Sequence, residues 1–169
     1  EMTGQALAKP LAGPGIGEAL KPGQKVTIIT DDGARNTPVK EILPVLFAEL
    51  EKAGIGPNDI DLLVGLGTHA LMSDEALQAK FGADIVLGYR ISQHDCHADD
   101  LVPIAKLSTG CEVKINPLVQ SADAVIGIGT ILPHPMNGFG GGPKIVFPPV
   151  ANYEAIRALH LSSPAQTAS

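Results

Sequence analysis

The chain has 169 residues, 44% hydrophobic and only 18% charged, enough apolar material for one domain with its own core. A formal net charge of -6 excludes a phosphate backbone as natural partner, because nucleic-acid binders present clustered basic surface. No apolar run reaches the length of a membrane span, and 19 glycines with 14 prolines suit a loop-rich α/β domain better than a helical bundle.

Residues 1–23 show little periodicity and hold Pro10, Gly13, Pro14, Gly15, Gly17, Pro22 and Gly23, so they read as an irregular lead-in. Residues 25–30 are β-branched and apolar, a buried strand that Asp31-Asp32-Gly33 ends. A helix is expected over 37–52, with Thr37 as N-cap, Pro38 at the first helical position, Gly54 past the end, and a kink or late start at Pro44. Residues 61–66 form a second strand, and Ser73 caps a short helix that ends at Phe81. Residues 84–89 read as a third strand, 112–116 as a weaker one and 124–129 as the last. A helix over 152–161 precedes a polar tail at 162–169. The alternation implies a mostly parallel sheet flanked by helices, Rossmann-like, in a single α/β domain over 24–161.

Cys96 and Cys111, without CxxC spacing, point to a reducing, cytoplasmic setting. The run His94-Asp-Cys-His97, with Asp99 and Asp100 behind it, lacks a matching second half for a metal site and reads as a solvated polar loop.

Three polar signatures each follow the end of an apolar strand: Asp31 to Arg35, Gly67-Thr68-His69, and Pro133-His134. In a parallel sheet those ends share one edge, where open α/β folds bind their ligands, so two histidines and an arginine are expected to meet there. His69 and His134 are then acid/base candidates, although a lone histidine is more often structural than catalytic. Arg35 by itself reads as a loop ion pair with Asp31 and Asp32, worth little if exposed. Asp32 either caps the turn or orients a cofactor group, and His160 alone reads as a dipole-favoured histidine at a helix end. The stretch 137–144 is glycine-rich and ends in Lys144. It lacks the residues of a Walker A loop, and neither Gly65-x-Gly67 nor Gly127-x-Gly129 completes a dinucleotide fingerprint. By composition it is a phosphate-binding loop or a flexible loop with a surface lysine.

Taken together, Asp31-Asp-Gly-Ala-Arg-Asn-Thr-Pro38, the stretch from Gly67 to Glu75, the stretch from Pro133 to Lys144 and the segment from Asn152 to His160 resemble, in that order, the N-terminal domain of the lactate racemase family. The resemblance runs from about Leu11 to His160. It implies a nickel-pincer cofactor, a pyridinium-3-thioamide-5-thiocarboxylic acid mononucleotide held covalently by Lys144, with His160 as protein ligand to nickel. It makes His69 and His134 the acid/base pair, gives Arg35 the carboxylate of a 2-hydroxy acid, and places Asp32, Gly138, Gly140, Gly141 and Gly142 against the cofactor. Hydride transfer fits such an inversion, because removing the α-hydrogen as a proton would build a carbanion beside a carboxylate.

This chain has Ala34, Gly140 and Ala70 where family members usually have Thr, Ser and a basic residue, which leaves the identity of the hydroxy acid open. The family's second domain has no counterpart here, so the chain is expected to be the front part of a longer enzyme and inactive alone. The alternatives are a nucleotide- or phosphate-binding module without racemase activity, and a nucleotide-dependent oxidoreductase domain.

Overall fold

The computed structural model describes residues 2–134 and 138–161; the polar tail expected at 162–169 lies outside the described residues. In chain order the elements are α1 (Met2–Ala8), α2 (Ile16–Ala19), β1 (Val26–Asp31), α3 (Val39–Lys52), β2 (Ile60–Gly65), α4 (Asp74–Phe81), α5 (Ala83–Gly88) and β3 (Arg90–Gln93). There follow β4 (Val102–Lys106), β5 (Glu112–Ile115), α6 (Pro117–Ser121), β6 (Ala124–Ile128), β7 (Pro133–His134), β8 (Gly138–Phe139) and α7 (Tyr153–Leu161). Four strands make a parallel sheet in the order β3-β2-β1-β6, as expected for a helix-flanked α/β fold.

All six residues of β1 are buried, which explains its β-branched, largely apolar composition up to Asp31: a central parallel strand is covered on both faces. Val26 and Ile28 join Leu62 and Val64 of β2 under the α3 stripe Val39, Leu43, Leu46 and Leu50. On the other face Ile29 and Leu63 pack with Ile145 and Val150. Helix α3 runs through Pro44, which stands on its exposed side, where water can hydrate the carbonyl left without a donor. Its N-cap is Pro38, and Thr37 turns its hydroxyl to Asp31 and not to the helix. Ser73 caps α4 as expected, accepting from the Ala76 amide at 3.3 Å.

Three sequence expectations are corrected. The lead-in carries α1 and α2, which pack on α3. Residues 84–88 are helical in α5 and Tyr89 is its extended C-cap, with Ile85 turned into the core and Leu87 exposed, because Gly82 at φ 87° ends α4 and restarts the chain one residue later. The third strand of the sheet is β3, a four-residue edge strand with Ile91 as its one apolar residue, too short and polar to stand out in the sequence. Strand β5 exists, but it pairs antiparallel with β4 outside the main sheet. The solvated loop expected at 94–100 holds for the exposed Asp95, His97, Asp99 and Asp100 and is corrected for His94 and Cys96. His94 is 1% exposed, donates from Nε2 to the Ala151 carbonyl at 2.9 Å, and faces Asn116 Nδ2 with Nδ1 at 3.4 Å, while Cys96 is buried against Ala151 and Ile156.

Burial holds the His94 pKa below its ordinary value near 6.5. The neutral ring is the folded form, so this contribution to stability is complete above about pH 6.5 and is lost as pH falls toward the folded value. Urea midpoints are expected to drop between pH 7 and pH 5, and His94→Gln, which cannot titrate, should flatten that slope.

The glycines of β2 and β6 answer a packing need. A Cβ on Gly127 would lie 2.3 Å from Ile145 Cγ2, and one on Gly65 would lie 2.9 Å from Pro149 Cβ. These two positions let the segment that carries Lys144 lie directly on the sheet. Gly127→Ala is therefore expected to destabilise the fold by about 1–3 kcal/mol in urea unfolding, whereas Gly17→Ala, with nothing near its Cβ, should be neutral or better.

Candidate active site

After β1 the chain runs over one face of the sheet as α3, and after its neighbour β6 it runs over the other as the turn bearing Ile145; the crevice at such a switch point is where doubly wound folds place ligands. A cavity of about 270 Å³ opens there. The site residues Asp32, Arg35, His69, His134, Gly140, Gly141, Lys144 and His160 all line it, although they span the chain from the first strand to the last helix. Gly138 and Gly142 do not line it: Gly138 pairs with His134 in the β7–β8 hairpin, and Gly142 starts the short 3-10 turn that carries Lys144.

The loop after β1 has two buried carboxylates with separate partners. Asp32 accepts from the Ala34 amide at 3.1 Å, closing the turn, and its other oxygen holds His69 Nδ1. The turn and the orienting role, alternatives in the sequence, are combined in one side chain, with a histidine as the oriented group. Asp31 accepts from Lys80 Nζ at 2.9 Å and from the Thr37 hydroxyl. With its only hydroxyl proton so committed, Thr37 accepts from Thr130, 2.6 Å away, just beyond β6. Among the described residues Arg35 makes no salt bridge with either aspartate, so its guanidinium lines the cavity uncommitted to them.

Lys144 arrives on the turn Gly142–Ile145, anchored by buried Ile145. Gly141, at φ 70°, brings that turn close under Thr130; a Cβ there would meet the Thr130 carbonyl at 3.0 Å. His160 stands one helical turn after buried Ile156 on α7, and both face the cavity. Partial burial, then the Arg35 charge, lower the Lys144 pKa. Burial, followed by Lys144, Arg35 and His160, lowers that of His134. Both shifts run toward the neutral form of each group, and the Arg35 guanidinium beside them can bind an anion.

Sequence reasoning missed the Asp32–His69 pair and Lys80. The first was accessible, because β1 and β2 pair in parallel with Asp31 opposite Gly65, so the residues following each strand end at the same edge. Lys80 had no such signal. It occupies the last turn of a short helix, where a lysine ordinarily faces water.

A family model described as the lactate racemase N-terminal domain matches residues 1–169. The lactate racemase of Lactiplantibacillus plantarum is 33% identical over 162 residues, covering 95% of this chain and 38% of its own length. That of Thermoanaerobacterium thermosaccharolyticum is 31% identical over 159 residues, covering 94% and 37%. The structure of the Thermoanaerobacterium racemase apoprotein superposes with a TM-score of 0.86 at 31% identity, covering 92% of this chain and 37% of that one. A Thermotoga maritima protein, 24% identical, shares the fold at a TM-score of 0.75 over 94% of this chain and 40% of its own. The chain thus spans little more than a third of the length of these relatives.

Proposed function

We propose a catalytic role from the premise that this chain belongs to the lactate racemase N-terminal domain family: it is the cofactor-bearing part of a nickel-dependent racemase or epimerase of small 2-hydroxy acids. The observation that carries this reading is the meeting of Lys144, His160, His69, His134 and Arg35 around one cavity.

The residues suit a nickel-pincer nucleotide. A covalent bond from Lys144 requires a neutral amine, and burial and Arg35 push the amine that way. Among the described residues no three His, Cys, Asp or Glu side chains gather to hold a metal unaided. Nickel here would take most of its ligands from the cofactor's soft sulfur and carbon donors, and an imidazole such as His160 is an apt fourth. Asp32, Gly140 and Gly141 border the same space. When bound, the cofactor would supply a hydride acceptor.

The chain's own residues would do the rest. Arg35 binds the substrate carboxylate through a bidentate fork and fixes where the α-carbon lies. His69, with Nδ1 held by Asp32, presents Nε2 as the base for the hydroxyl proton of one enantiomer. His134, on a different strand end, does the same for the mirror image. For inversion, one imidazole accepts the substrate hydroxyl proton and the other, entering protonated, donates a proton to the keto oxygen as the product of opposite configuration forms, so the pair ends with its protonation states exchanged.

Intact mass and metal analysis test this on the complete protein made alongside the enzymes that build the cofactor. The expected result is an adduct on Lys144 with one nickel, and interconversion of enantiomers in a chiral panel of lactate, malate, aliphatic, aromatic and sugar acids. An unmodified Lys144 with a reversibly bound nucleotide would overturn the reading in favour of a nucleotide-binding module.

A further inference from the structure

The Lys80 ammonium is the buried charge that the proposed chemistry leaves unused. Its side chain is 6% exposed and ends in three acceptors: Asp31 Oδ1 at 2.9 Å, the Asp32 carbonyl at 2.7 Å and the Arg35 carbonyl at 3.5 Å. One group on α4 thus grips the β1 loop at its first carboxylate, its middle and its far end.

That loop carries two groups of the site. Asp32 holds His69, and Arg35 lines the cavity. Asp31 and Asp32 are adjacent and buried, 9% and 7% exposed, so their mutual repulsion has to be offset by separate partners. Lys80 answers Asp31 and leaves the Asp32 carboxylate to the imidazole. Asp31 passes the same constraint through Thr37 to Thr130, which precedes the segment bearing His134.

We propose that Lys80 is a positioning residue: it sets the loop from Asp31 to Arg35 so that Asp32 fixes the tautomer and orientation of His69 and Arg35 is aimed into the cavity. The catalytic consequence rests on the racemase reading; the geometric one does not.

The two are separated by reading the histidine directly. In the complete protein labelled with 15N-histidine, at alkaline pH where imidazoles are neutral, His69 should show the Nδ1–H tautomer that its bond to Asp32 requires. Its signal is assigned by its absence in His69→Asn. Lys80→Met is expected to move His69 toward the tautomer mixture of an unconstrained ring, and Lys80→Arg to keep the native signature. Because removing one partner of a buried pair can prevent folding, Lys80→Met combined with Asp31→Asn is measured beside it, with the same loss expected.

In the loaded enzyme, kcat should fall about tenfold or more and KM for the hydroxy acid should rise, an effect on two separate groups that general loosening of the fold does not imply. A folded Lys80→Met or double variant that keeps the native His69 signature overturns the proposal. A Lys80-dependent signature in a protein without racemase activity upholds it and removes the racemase reading instead.

Discussion

Lys144→Ala is expected to give a protein that carries no adduct and racemises no hydroxy acid, a loss on the order of 10⁶-fold because the whole acceleration depends on the tethered group. Lys144→Arg should be as inactive. A guanidinium keeps its proton at any working pH and cannot form the amide-like bond that a neutral amine can. This reasoning starts from position: Lys144 is half-buried on a turn pressed against the sheet by Ile145, with the Arg35 charge nearby. Both features favour the uncharged amine. Urea unfolding should show both variants close to the parent, since a partly exposed side chain contributes little to the core. Intact mass and chiral separation check the result. A Lys144→Ala protein that still gains the cofactor mass would place the attachment on another residue.

The legible parts of this fold were those where composition and environment agree. Strands β1 and β2 are buried at nearly every residue and built mostly of β-branched and apolar side chains, and β6, though partly exposed, is apolar enough to be read. Once these three were placed, the shared edge followed, and with it the meeting of His69, His134 and Arg35. The misread segment, residues 84–89, was apolar without a period to choose helix from strand. Its fate was decided by Gly82 and by a polar edge strand with nothing in its sequence to mark it. His94 and Lys80 were misjudged or overlooked for a common reason. Polar residues become interior only when a distant partner satisfies them, here the Ala151 carbonyl and the Asp31 carboxylate, and local sequence holds no trace of either. The glycine pairs at 65/67 and 127/129 fail as a nucleotide fingerprint but mark where Pro149 and Ile145 press on the sheet.

The histidines supply the second large effect. His69→Ala and His134→Ala should each lower racemisation by about 10²–10⁴-fold while leaving the Lys144 adduct in place. The size follows from the task. An inversion needs both imidazoles, one to take the proton and one to give it, so removing either leaves its part to water and slows net interconversion in both directions. For the same reason the double variant should be little worse than either single one, since the two act as a unit.

Asp32→Asn sharpens the assignment. Asparagine can keep the turn by accepting from the Ala34 amide, but it removes the anion that holds His69 Nδ1–H. The loss should approach that of His69→Ala and add little on top of it, because a carboxylate that orients an imidazole acts only through that ring. Arg35→Ala behaves differently, raising KM more than it lowers kcat, as expected for a group that binds substrate and transition state alike. Near-parental activity in either histidine variant, with the adduct present, would falsify that histidine's role. An Asp32→Asn loss that multiplies with His69→Ala would mean that Asp32 serves the cofactor or substrate directly and not through the imidazole.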